Sequence, residues 1–204
     1  MKAPGDCIAR GLSELGLPTD DARLAALSTF LDLLIRWNRT YNLTAIREPS
    51  QMVTHHLLDS LAILPHISGR VALDVGTGAG LPGLPLALYT PDMRWTLVDT
   101  NGKKTRFVTQ AAAEMGLANV TVVQARVEEI ETTDHDLIVT RAFASLPDTV
   151  RMLGHLLTPG TRLLAMKAGD QDVLPEGAFS VVAEHRLEVP SIEAARKLVE
   201  VRRG

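Results

Sequence analysis

Val71-Ala-Leu-Asp-Val-Gly-Thr-Gly-Ala-Gly80 is an apolar run that breaks into three alternating glycines, and Thr96-Leu-Val-Asp99 follows, its carboxylate 19 residues beyond Gly80. Val71 to Val75 has the length and character of a strand from the middle of a parallel sheet. Glycines at alternate positions leave no Cβ between the backbone and whatever lies above it. The turn should feed a helix whose free N–H groups point at a ligand, and Pro82 and Pro85 fall in or near its first turn, where missing donors cost little. Asp99 then ends a second strand beside the first, where acidic side chains hold ribose hydroxyls. Strand, glycine turn, helix and strand together read as a nucleotide-type cofactor site.

Two cofactors fit these glycines. Gly78-Ala-Gly80-Leu-Pro-Gly83 satisfies the G-x-G-x-x-G dinucleotide fingerprint, with Asp99 near its expected offset of about 20 residues, which admits an NAD-dependent oxidoreductase. Asp74, two residues before the first glycine, is expected to face the ligand. A carboxylate there repels a pyrophosphate but suits the sulfonium and ammonium of S-adenosylmethionine. Charge therefore favours the methyl donor, with NAD as the second reading.

From Arg70 onward, strands expected near 71–75, 94–99, 120–124, 136–140 and 161–166 alternate with helices near 81–89, 102–116 and 146–157. That alternation builds a parallel sheet covered on both faces. Phe179-Ser-Val-Val-Ala and Ala195-Arg-Lys-Leu-Val-Glu-Val-Arg202 read as two late strands joined by a Pro190 loop, an antiparallel pair on the sheet's edge. Residues 1–65 read as a helical extension preceding the α/β domain of residues 66–204. Pro18-Thr-Asp-Asp21 offers a capping start, after which Leu24, Leu27, Leu31, Leu34 and Ile35 recur along one helical face. Arg36 to Thr44, with two asparagines, is expected as a loop, and a further helix should run from Pro49-Ser50 to Leu61.

The 204 residues suffice for one α/β domain with an extension. A net charge of −3 gives no whole-chain sign of a nucleic-acid partner, so any such contact must be local. A single cysteine, Cys7, excludes an intrachain disulfide and a cysteine-rich metal site. No signal-peptide core and no membrane-length apolar run is present, so a cytoplasmic location without membrane contact is the expectation.

Several further stretches stand in a recognisable order: Trp37-Asn-Arg-Thr-Tyr-Asn-Leu-Thr-Ala-Ile-Arg47, His55-His-Leu-Leu-Asp-Ser-Leu61, Asp74-Val-Gly-Thr-Gly-Ala-Gly-Leu-Pro-Gly83, Asp99-Thr-Asn-Gly-Lys-Lys-Thr-Arg-Phe107, Arg126-Val-Glu-Glu129 and Arg141-Ala-Phe-Ala-Ser145. In this order and spacing they resemble the signatures of the bacterial RsmG (GidB) methyltransferases, from about Leu33 to Lys167. The resemblance implies a Rossmann-like class I S-adenosylmethionine-dependent methyltransferase with a mostly parallel seven-stranded sheet and an N-terminal helical extension. It also implies methyl transfer to N7 of guanine 527, in the 530 loop of 16S rRNA, either free or in the 30S subunit. Gly76 and Leu81 at the turn, Val127 and Glu128 after the third strand, and Arg141 after the fourth are the implied donor contacts. The turn and its flanking strand add Gly78, Gly80 and Asp99.

Some of these residues also have plainer explanations. Arg126-Val-Glu-Glu-Ile-Glu131 alone reads as a solvated helix start with acids at its positive end. Arg141, at a strand's carboxyl end over a cofactor site, is better placed for function than for stability. His55 and His56, adjacent on a helix, should face different sides and cannot chelate a metal together, so no metal site is expected.

Lys103, Lys104 and Arg106 put three cations at a helix start, an electrostatic mismatch that points to use, and RNA phosphate is the matching partner. Lys167, ending the fifth strand, points toward the same edge. Arg36, Arg39 and Arg47 extend the candidate patch, with Trp37 and Tyr41 as stacking surfaces or core. No protein partner is indicated. No nucleophile or paired catalytic carboxylate stands out, which leaves a non-catalytic RNA-binding module as a third reading. Guanine N7 methylation itself needs no base, because N7 already presents its lone pair, and orientation does the work.

Overall fold

Two helices open the chain in the computed structural model, which describes residues 4–131, 134–169 and 173–204: α1 (Pro4–Glu14) and α2 (Asp21–Tyr41). The Asp20 carboxylate accepts the Arg23 backbone N–H at 3.0 Å and caps α2, as the sequence predicts. Leu27, Leu31 and Leu34 are buried, and Leu24 and Ile35 pack beside them. The loop expected from Arg36 starts only after Tyr41, a correction with a clear cause. Asn38 is buried inside the helix, where its side chain accepts the Thr44 N–H at 2.9 Å and donates to the Ile46 carbonyl at 3.1 Å. The stop is Asn42, left-handed at φ 49°.

The helix expected from Pro49 to Leu61 is present but not uniform. α3 (Pro49–Met52), a π-helical turn (Val53–Leu58) and α4 (Asp59–Leu61) follow one another without a break. Pro49 occupies the first turn, where its missing donor is harmless.

Among the described residues, seven strands form one sheet: β1 (Val71–Val75), β2 (Arg94–Asp99), β3 (Val120–Gln124), β4 (Leu137–Arg141), β5 (Arg162–Ala168), β6 (Phe179–Leu187) and β7 (Arg196–Arg203). α5 (Gly83–Tyr89), α6 (Gly102–Glu114) and α7 (Leu146–Leu153) connect the parallel strands. The order is β3-β2-β1-β4-β5-β7-β6, parallel through β5 and antiparallel at β7 and β6. The late pair lies where it is expected, with β7 inside and β6 on the edge. A bulge between Val181 and Ala183 interrupts β6, a device that blunts an exposed edge.

Alternate residues of β1 serve different cores. Ala72 packs with Leu97, Val139 and Leu164 and with Ile8, Leu27, Phe30 and Leu57 of the N-terminal helices; Leu73 and Val75 join Ile138, Val150 and Leu153 on the α7 side. The extension thus covers one sheet face. At about 1.5–3 kcal/mol for each fully buried leucine, detaching it would be costly. Among the described residues, no helix is long and apolar enough to cross a membrane.

The chain runs outward through β1, β2 and β3, then returns to lay β4 on the other side of β1. Reversals of this kind leave a crevice at the carboxyl ends of the two central strands.

Candidate functional site

That crevice is a cleft of about 840 Å³. Residues of the glycine turn form its floor, and Arg141 at the end of β4, with Ala142 and Leu146 after it, forms one wall. Thr44, His55, His56 and Asp59 close it from the extension, while Lys167, Arg196 and Lys197 bound it from β5 and β7.

The three glycines at φ 69°, 60° and 78° are all left-handed, yet they do different work. A Cβ on Gly76 would lie 2.6 Å from the Phe143 ring, and one on Gly80 would lie 2.5 Å from Leu84 Cδ1. Those two positions answer to packing. Around a Cβ on Gly78 the nearest atom is the Gly76 carbonyl oxygen at 3.9 Å, so this backbone is open to a ligand. Gly83, the last glycine of the fingerprint, lets α5 approach the sheet, since a Cβ there would meet Asp74 Oδ2 at 2.6 Å.

Asp74 does not face the cleft, which corrects the charge argument drawn from it. It shares a strand face with Ala72 and is fully buried beneath α5, where Oδ2 accepts from Thr77 Oγ1 at 2.7 Å and from the Gly83 N–H at 2.9 Å. The α5 donors are consequently used within the protein: Gly83 by Asp74, and Leu84 by the Gly80 carbonyl. They are not free for a ligand, contrary to the expectation from the sequence. Burial pushes the Asp74 carboxyl up to about 6, against the two hydrogen bonds that favour its ionised form.

Asp99 stands at the expected strand end but is 8 % exposed. Its Oδ2 accepts the Gly78 N–H at 2.9 Å and its Oδ1 the Asn101 N–H at 2.8 Å, so it braces the open glycine against the start of α6. Leu81 lines the floor. Val127 is buried in the second core within a short 3-10 turn, and Glu128 is exposed, 4.0 Å from Arg126. Neither lines the cleft, although β3 pairs Gln124 with Asp99 and so brings their turn beside the β2 end.

Arg141 lines the cleft and anchors it. Its Nη1 donates to the His55 carbonyl and to Asp59 Oδ2, both at 3.1 Å, while Arg196 Nε reaches Asp59 Oδ1 at 3.2 Å. One buried carboxylate thus holds two arginines, one from the end of β4 and one from the start of β7. The next residue, Ala142, has φ 48°, a left-handed conformation that costs a non-glycine residue energy and recurs at working sites.

His55 and His56 both line the cleft, but His55 meets Arg141 with its carbonyl while its ring lies beside Gln51 and Thr54, so the two rings have different partners. The π-helical turn that carries them is wider than an α turn, and such turns recur at functional sites. His56 Nε2 lies 2.9 Å from Thr44 Oγ1, and burial followed by the nearby Arg141 charge brings its imidazole down to about 4. Among the described residues, no group of histidine, cysteine or carboxylate side chains could hold a metal ion.

Of the α6 cations, Lys104 alone lines the cleft, 3.9 Å from Asp99 Oδ2. Lys103 sits 5.9 Å from the centre of the Tyr41 ring, and Arg106 is exposed on another face of the helix, so the three do not form one rim. Lys167 lines the cleft and donates to the Ala144 carbonyl. Trp37 packs edge-on against Phe107, ring centres 5.6 Å apart, as core rather than a stacking platform. Arg36, Arg39 and Arg47 are exposed outside the cleft lining.

Sequence reasoning assigned no role to Asp59, Arg196, Lys197 or Glu184, all of which line the cleft. Asp59 lay inside a quoted signature, whereas the tail cations carried no local signal. Among the described residues, the lining holds five cations, Lys104, Arg141, Lys167, Arg196 and Lys197, against two carboxylates, Asp59 and Glu184. These seven side chains sum to +3, in contrast with −3 for the whole chain.

Solved structures share this fold. A SAM-dependent methyltransferase from Aquifex aeolicus aligns at TM-score 0.58 and 18% identity, over 78% of this chain and 96% of that one. Another from Thiobacillus denitrificans, in complex with S-adenosyl-L-homocysteine, aligns at TM-score 0.52 and 13% identity, over 72% and 90%. Sequence relatives are much nearer. Ribosomal RNA small subunit methyltransferase G of Stutzerimonas stutzeri (strain A1501) is 48% identical over 96% of this chain and 94% of its own length. The protein of the same name from Chromohalobacter salexigens is 49% identical over 97% and 98%. Residues 23–199 match the GidB family profile, described as rRNA small subunit methyltransferase G, and the chain belongs to that family.

Proposed function

We propose that this protein transfers a methyl group from S-adenosylmethionine to N7 of a guanine in the 530 loop of 16S rRNA, in the cytoplasm. Family membership makes it an S-adenosylmethionine-dependent rRNA methyltransferase; the base, atom and loop rest on the signature stretches. The observation that carries the RNA reading is the cleft, whose described lining residues hold more cations than carboxylates within an acidic chain and which is open at Gly78.

The residues present fit the donor. The open backbone at Gly78 admits close approach, Leu81 offers an apolar contact, and Asp99 beneath them retains acceptor capacity toward ribose hydroxyls. Arg141, fixed by Asp59, supplies donors for a carboxylate. Gly76 lines the cleft beside Gly78 and offers its backbone to the donor, while Gly80 shapes the turn beneath them. The turn at Val127 and Glu128 closes the β2 side. When bound, S-adenosylmethionine supplies the electrophilic methyl group on a positively charged sulfur.

The chain's own task is alignment. Guanine N7 needs no proton removed, so no general base is required; a wall that holds N7 in line with the methyl carbon and excludes water suffices. Lys104 and Lys167 meet RNA phosphate at the cleft, and Lys103 and Arg106 contribute from outside it. The dinucleotide reading has lost its footing, because the relatives are methyltransferases.

The test is transfer of labelled methyl from S-adenosylmethionine to 16S rRNA, free and within 30S subunits, from cells lacking this activity. Mass mapping of a single N7-methylguanine in the 530 loop is the expected result. Methylation elsewhere would redirect the assignment, and donor binding without transfer would favour a non-catalytic RNA-binding module.

A further inference from the structure

The antiparallel register of β5 and β7 sets Lys167 directly opposite Lys197. On its other side, Lys197 stands opposite Arg186 of β6. Directly paired residues project from the same sheet face, so cations on three successive strands form one line. With strands about 4.8 Å apart, that line is about 10 Å long.

Like charges placed directly opposite one another destabilise a sheet, and lysine is depleted from strands. The row therefore costs stability. Glu184, 3.4 Å from Lys197 Nζ, offsets one charge, and Lys167 Nζ is drawn toward the Ala144 carbonyl after β4.

The location gives this arrangement meaning. β7 starts beside the end of β5, so the row lies at the carboxyl edge of the sheet, where the cleft opens. Lys167 and Lys197 line the cleft, and Arg186 continues outside it on the exposed edge strand. Such a line suits a polyanion with one unit inside the cleft and its neighbours outside. A base that enters a cleft must leave its stack, so the backbone beside it is effectively single-stranded.

We propose that Lys167, Lys197 and Arg186 form a track that holds the RNA phosphates adjoining the nucleotide in the cleft. This rests on the reading of the cleft as an RNA methyltransferase site. The track senses charge and carries no base preference, fixing the register of the strand while other residues choose the base.

The decisive measurement compares wild type with the Arg186→Gln, Lys197→Gln double variant, following affinity for the substrate rRNA across a salt series. Each phosphate contact on single-stranded nucleic acid adds about 0.7 to the slope of log affinity against log salt. The variant should lose about 1.4 from that slope while keeping its S-adenosylmethionine affinity by calorimetry. The charge-preserving pair Arg186→Lys, Lys197→Arg should restore the slope. If the double variant does not fold, Arg186→Gln alone, at an exposed edge position, should lose about 0.7. An unchanged slope in a folded variant overturns the track. Failure of the wild type to bind S-adenosylmethionine or methylate rRNA would instead overturn the methyltransferase reading.

Discussion

Asp59 Oδ2 lies 3.1 Å from Nη1 of Arg141, joining a helical residue to the end of β4 across 82 positions of sequence. The Asp59 side chain is 8% exposed and Arg141 19%, so water screens the pair poorly. The contact fixes the cleft wall to the helical extension.

Replacing Asp59 with alanine should therefore strand two guanidinium groups, because Arg196 depends on the same carboxylate. Charged hydrogen bonds of this kind contribute about 1.5–3 kcal/mol, and urea unfolding should reveal a loss of that size. Donor affinity should fall as well, since Arg141 loses its anchor. A variant with unchanged unfolding midpoint and unchanged donor affinity would show that Asp59 positions nothing.

The glycines should separate by role. Gly83→Ala places a Cβ 2.6 Å from Asp74 Oδ2 and 2.8 Å from Leu97 Cγ, so it should cost stability by about 1–3 kcal/mol, as overpacking does. Gly78→Ala meets no close atom and should cost only about 1–2 kcal/mol for its left-handed backbone, while its methyl group blocks the donor. Calorimetry beside thermal melts tests this. Gly78→Ala with full donor affinity would contradict the division.

Asp74 gives a pH dependence with an unusual sign. Its folded value of about 6 exceeds the unfolded 3.8, so its favourable contribution is complete below pH 3.8 and is lost as pH rises through about 6. The loss amounts to about 2–3 kcal/mol. Oδ1 is buried without a hydrogen-bond partner among the described residues, which makes it the natural seat of the proton. Against Asp74→Asn, wild type should become relatively less stable between pH 4 and 7; parallel stability curves would refute it.

His56 moves the other way. Its imidazole, brought down to about 4 from an ordinary 6.5, stays neutral in the folded protein while the unfolded chain takes a proton. Its contribution is therefore full above pH 6.5 and lost as pH falls toward 4. Imidazole NMR at pH 5 should find it neutral. A titration midpoint near 6.5 would mean that burial and the nearby Arg141 charge do not operate in solution.

The parallel strands were legible because apolar runs bounded by glycine and charge have few other uses in an α/β chain. Leu81 and Arg141 proved to line the cleft, and Gly78 proved to be its open backbone. Asp74 misled because proximity to the glycines was weighed and strand parity was not: two residues from Ala72, it points where Ala72 points, beneath α5. Asn38 misled in another way, since a polar residue inside a helix looks like a breaker until its loop partners are visible. Arg196 and Lys197 could not be located without the β5–β7 register, which depends on where the chain reverses.

The π-helical turn at Val53–Leu58 bonds each amide five residues back, so it accommodates one more residue than an α turn. The extension therefore works as a vernier, in which the wide turn takes up one surplus residue before Asp59. Were the segment to tighten to a regular α-helix with every residue kept, Asp59 would turn by about a hundred degrees, a quarter turn or more. The charge that holds Arg141 and Arg196 would swing out of the cleft with no substitution at any of the three. The width of this short turn is thus as specific to the site as the side chains that line it.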